Sequence, residues 1–151
     1  MAASAWRVYR ELKDNLAKKV VNLDTDAIKC ALFLSTSNCG DVALVTAQYA
    51  ILTNQHANAN GYLTGGITVA ATWATAAGVS TFDAADPVWS ATGGPITARF
   101  AILYSDTATN KDLIAYCILD DTPANVTAIN GYEFVIQIDA NGVFTLSGGE
   151  A

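Results

Sequence analysis

Charge is scarce in this chain. Of its 151 residues only 15% are Asp, Glu, Lys or Arg, while 52% are hydrophobic. A free-standing surface typically carries about 25–35% charged residues. The shortage points either to a surface partly covered by a partner or to a compact β protein dressed in Ser, Thr and Asn. Cysteine is also scarce. Cys30, Cys39 and Cys117 are three, with no CxxC pair, so no disulfide framework is implied and a reducing compartment is acceptable. Cys30 and Cys117 sit in apolar runs and read as small core residues. The single histidine, His56, lies in a polar loop with no cysteine or acid beside it. It reads as a solvated loop residue, and neither a zinc site nor a His-based catalytic triad has visible partners. No apolar run approaches the roughly 20 residues of a membrane span. The N-terminus is amphipathic and charged rather than a secretory signal. The expectation is a chain made in the cytoplasm, with no membrane association.

What charge there is falls unevenly. Residues 1–19 hold Arg7, Arg10, Lys13, Lys18 and Lys19 against two acids, net +3, and the remainder sums to −9. A basic head on an acidic body suits docking onto an acidic protein surface, a sister subunit included. An acidic body suits nucleic acid poorly.

Periodicity then divides the chain. Trp6, Tyr9, Leu12 and Leu16 recur at three- and four-residue steps, which predicts an amphipathic helix over 4–18. Residues 27–36 are apolar on both faces, the pattern of a central strand. Val42, Val45, Tyr49 and Leu52 fit a second, short helix over 42–53. Residues 54–66 read as a loop, where Gly65 and Gly66 permit a tight entry into the next strand. Strands are expected over 67–73, 79–82, 88–90, 96–104 and 113–119, and 120–130 reads as a loop. Trp73, on an alternating strand, reads as core; so does Trp89, though it is the better candidate for exposure. Finally, Tyr132, Phe134, Ile136 and Ile138 alternate with polar or smaller residues up to Asn141-Gly142. That predicts a closing hairpin with its second strand from Val143. The sum is a mainly β chain of about seven or eight strands, an antiparallel sandwich or jelly roll with a short N-terminal amphipathic helix. The division is a basic helical arm over 1–22 and one β domain over 23–151.

Little of this resembles catalysis. Asp24/Asp26, Asp83/Asp86 and Asp120/Asp121 read as turn-forming pairs, without EF-hand spacing. Gly61-Tyr62-Leu63-Thr64-Gly65-Gly66 lacks the ending of a phosphate loop. No catalytic residue, metal ligand or cofactor is assigned. An enzyme, such as a cell-wall hydrolase built on the acidic pairs, is the remote alternative.

Several runs resemble a known group. They are Gln48-Tyr49-Ala50-Ile51-Leu52-Thr53-Asn54, Gly61 to Gly66, and Phe82-Asp83-Ala84-Ala85-Asp86-Pro87-Val88-Trp89. Ile96-Thr97-Ala98-Arg99-Phe100-Ala101-Ile102-Leu103-Tyr104 and Asp139-Ala140-Asn141-Gly142-Val143-Phe144 extend the match, as does Leu23-Asp24-Thr25-Asp26-Ala27-Ile28-Lys29 after the opening helix. Together they resemble small virion proteins of tailed bacteriophages, over nearly the whole chain. Cys30, Cys39 and the Ala/Thr-rich stretch 70–77 depart from the pattern. The resemblance implies a non-enzymatic structural component similar to the capsid decoration or cement proteins, which bind the major capsid protein on the outer shell of the virion. A homo-oligomer, with a trimer favoured, suits the threefold sites of such a lattice. The residues expected to meet capsid or sister subunit are Trp6, Arg7, Tyr9, Arg10, Lys13, Lys18 and Lys19. The alternative is a tail or head-fibre component that binds a receptor or glycan, with Trp89, Tyr62 or Tyr104 stacking on sugars.

Overall fold

The computed structural model describes residues 4–44, 46–120 and 124–148. Its elements run β1 (Arg7–Val8), α1 (Leu12–Ala17), β2 (Ile28–Phe33), β3 (Ile67–Val69), β4 (Ala71–Ala76), β5 (Val79–Ala84) and β6 (Val88–Ser90). Then come β7 (Ile96–Ala98), β8 (Phe100–Ser105), β9 (Leu113–Ile118), β10 (Val126–Ala128), β11 (Glu133–Val135) and β12 (Phe144–Ser147). The fold is mainly β and every strand pair is antiparallel.

The main sheet has the order β1-β9-β8-β2-β3. Its three inner strands are long apolar runs, and β8 is buried at every position. A strand with no solvated face needs cover on both sides. On the first face, Ile28, Cys30 and Leu32 of β2 and Ala101 and Leu103 of β8 share one cluster with Phe82 of β5, Trp89 of β6 and Phe134 of β11. On the second, Ala31, Phe33, Ile102 and Tyr104 pack with Tyr9, Cys39, Ala47, Tyr116 and the half-buried Val42, Leu44, Tyr49 and Leu52. Each large side chain enclosed in this way contributes about 1.5–3 kcal/mol. All three thiols are free and buried, and burial pushes Cys39 and Cys117 up to about 12 and Cys30 well above its ordinary value.

Smaller sheets surround this one: β12-β5-β4, β10-β7 and β11-β6. Two expected strands prove to be split between sheets. The run 67–73 breaks at Ala70, whose carbonyl accepts from Ala85 N–H, so β3 stays in the main sheet and β4 leaves it. The run 96–104 breaks at Arg99, with β7 going to β10 and β8 to the main sheet. The tight entry expected at Gly65-Gly66 is present, both residues having positive φ, and a Cβ on Gly66 would stand 1.8 Å from the Cys30 carbonyl oxygen.

Four expectations are corrected. The first helix spans only Leu12–Ala17, because Arg7 and Val8 pair with Tyr116 and Ala115 as an edge strand. Aromatic and β-branched residues around Arg7 fit a pleated edge as readily as a helix. The second helix is replaced by an irregular cover with a 3-10 turn at Tyr49–Ile51. Its backbone is held from outside: Asp41 Oδ1 accepts from Ala43 N–H, the Glu11 carboxylate accepts from Ala47 N–H, and Gln48 bridges to Asp112. Val45 lies outside the described residues. The loop 120–130 contains β10, while Asp121 lies outside the described residues. The closing hairpin does not pair with itself: β11 joins β6, and β12 joins β5. The turn at Asn141-Gly142 is real, with Gly142 N–H donating to Asp139 O at 2.8 Å, but Val143 N–H donates to Phe82 O and carries the chain onto β5. Phe134 and Ile136 point inward as expected, whereas Tyr132 is 64% exposed.

Candidate functional site

The structure brings some of the basic residues of the N-terminal segment together and not others: Arg10 and Lys13 line one groove and Lys19 the hollow beside it, whereas Arg7 and Lys18 line neither. Arg7, Arg10, Lys13, Lys18 and Lys19 are all exposed along β1 and α1. Lys18 is neutralised by Asp14, at 2.6 Å one helical turn away, and that hydrogen bond raises its pKa. Arg7, Arg10, Lys13 and Lys19 form no ion pair with a described residue. The segment is not a loose appendage. Leu12 and Val21 enter the first core cluster, and Trp6 and Leu16 lean on it half-buried.

Tyr9 is corrected as a contact residue. It is fully buried, its hydroxyl donates to the Cys39 carbonyl, and burial drives its phenol well above the ordinary range. Behind α1 lies a second buried anchor. Asp112 is 3% exposed; its Oδ1 accepts from Asn15 Nδ2 at 3.3 Å, while Oδ2 has no partner. Burial first, then the neighbouring Glu11 charge, raises its pKa.

Between α1 and β12 runs an apolar groove of about 290 Å³, floored by Leu16, Phe144 and Leu146 and rimmed by Arg10 and Lys13. Past Leu16 and Leu146 it meets a hollow of about 620 Å³ that reaches Trp73 and Leu23, with Lys19 and Asp24 at its edge. Leu146 is 45% exposed. Phe144, Leu146 and Trp73 were not expected to join the basic segment. The alternation of Phe144 with Leu146 places them on one strand face, but only the tertiary fold brings that face to α1. Apolar floor with cationic rim is chemistry for holding an acidic, partly apolar partner.

Other sequence candidates take structural places. Trp89, Tyr62 and Tyr104 are buried, so none is free to stack a sugar, while Trp73 is half-buried against the core. His56 is only partly solvated. Its ring is half-buried edge-on to Tyr62 at 5.1 Å, burial lowers its pKa, and Nε2 is enclosed without a partner. Asp83 Oδ1 accepts from Ala84 N–H and Asp86 Oδ1 from Ile138 N–H, both at 2.8 Å. Among the described residues no group of three or more His, Cys, Asp or Glu side chains converges as a metal site, and no helix is long and apolar enough to cross a membrane. Comparison with protein-family models, with curated proteins and with solved structures finds no match.

Proposed function

We propose that this chain is a bacteriophage virion structural protein, a capsid cement or decoration protein that binds the major capsid protein on the outer surface of the shell and stabilises it. It acts by binding, without catalysis or cofactor. Its sheets stack as an antiparallel sandwich of jelly-roll kind, a rigid body that carries the contact surface. The observation that carries the reading is the set of exposed N-terminal cations, four of them without an ion pair among the described residues, with Arg10, Lys13 and Lys19 lining an apolar groove and hollow on a low-charge acidic body. The sequence resemblance supports it independently. Contacts of this size are modest singly, and a symmetric oligomer, a trimer on a threefold site, multiplies them.

The test is occupancy on purified heads. Replacing Arg7 and Arg10 by Glu is expected to abolish shell binding while thermal unfolding stays unchanged; unaltered occupancy refutes the reading. The tail or head-fibre alternative loses its sugar-stacking residues to the core. It would rest on Tyr132 instead, and glycan binding lost in Tyr132→Ala would favour it.

A further inference from the structure

A second surface answers the first in shape and charge. β10 and β11 are joined by a turn in which Tyr132 N–H donates to Ile129 O at 3.1 Å, with Gly131 at φ 88°. The turn is fixed from below, since Gly131 N–H donates to Ala91 O and Asn130 Oδ1 accepts from Gly93 N–H, both at 2.8 Å. Its two flanking side chains, Ile129 and Tyr132, are held out to solvent, 61% and 64% exposed. Beside them Val88 and Val135, register partners across β6 and β11, are 41% and 43% exposed. Two exposed acids lie close in sequence to these residues: Glu133 on β11, and Asp86, two residues before Val88, whose Oδ1 accepts from Ile138 N–H. A pre-ordered apolar tip loses little entropy on docking, and one left in water marks an interaction surface.

We propose that the turn at 129–132 of one copy docks into the groove between α1 and β12 of a second copy. Ile129 and Tyr132 would lie on Leu16, Phe144 and Leu146, and Glu133 and Asp86 would face Arg10, Lys13 and Lys19. The occupant is a second copy because the two surfaces of this one chain are complementary: an acid-flanked apolar knob and a cation-rimmed apolar groove. Two different patches in contact make a head-to-tail interface, which closes into a ring when the rotation permits. This deepens the sister-subunit part of the reading above. It is tested on the purified chain with no shell present, so failure of either leaves the other's result standing.

The experiment is sedimentation velocity of the full chain over a dilution series at low and high salt. The expected result is self-association that weakens as salt rises. Ile129→Asp, Lys13→Glu and Glu133→Lys are each expected to weaken it about tenfold or more, as loss of a buried anchor or charge reversal does, with unchanged circular dichroism. The chain carrying both Lys13→Glu and Glu133→Lys is expected to associate more tightly than the product of the two single effects, since the reversed charges face each other again. A chain that stays monomeric at every concentration overturns the proposal and leaves the groove to a foreign acidic partner. Association indifferent to these changes, or a strictly multiplicative double variant, overturns it equally.

Discussion

The two faces of the main sheet are covered in different ways. On the first, strands cover strands, and Phe82, Trp89 and Phe134 close an almost wholly apolar contact. On the second, the cover is irregular chain and the contact is rich in tyrosine. There the hydroxyls hold the cover in place. Tyr9 donates to Cys39 O, Tyr116 to Gly40 O at 2.7 Å and Tyr104 to Gly65 O at 2.7 Å, while Tyr49 donates to Gln55, whose amide reaches on to Tyr62 of the first cluster. Irregular backbone carries polar groups that no ladder satisfies, so it can lie on a buried sheet only where side chains reach back to it. Apolar area sets the stability of one face; hydrogen-bond satisfaction sets the geometry of the other.

The largest effect should come from emptying the first face. Phe82→Ala is expected to cost about 3–5 kcal/mol, read as a lower urea midpoint with global loss of structure. On the second face, Tyr116→Phe keeps the ring but strands the Gly40 carbonyl. It should cost about 1–3 kcal/mol, with faster hydrogen exchange over 38–44 and little change over β5. If the loss spreads evenly across both faces, the distinction fails.

Asp112→Asn probes a buried carboxyl that ties the second face to α1 through Asn15. A folded-state pKa raised above the unfolded value means the folded chain holds the proton more tightly. That contribution is complete below the unfolded value, about 3.9, and is lost as pH rises through the folded one. The variant should therefore match wild type in acid and exceed it at neutral pH by about 1 kcal/mol, measured as melting temperature across a pH series. The smallest effect belongs to the first face's outer hairpin. Ala76 pairs with Val79 across the two-residue turn Ala77-Gly78, which holds Ala77 at φ 49°. Ala77→Asn suits that turn and should gain under about 1 kcal/mol.

The same contrast explains what the residues alone disclose. β2, β8 and β9 are legible because strands buried on both faces must be apolar almost throughout. The cover over 42–53 is not. Val42, Tyr49 and Leu52 all turn toward one sheet, and a segment crossing a flat face can mimic helical spacing without helical hydrogen bonds. Nor is the choice of partners by β11 and β12, since alternation reveals a buried side but not the neighbouring strand. Of the site, the cations are legible from charge; Tyr9's place in the core and the groove floor of Leu146 and Phe144 depend on distant packing.

The sealed sulfurs supply an intrinsic clock for these differences. Cys39 sits under the irregular cover and Cys30 and Cys117 under the strand cover. A thiol reagent in solution reaches each only when its own side opens, because the protonated, enclosed form is inert. Labelling should thus begin at Cys39 and reach the other two later, so that the order of modification times the opening of each side without any engineered probe.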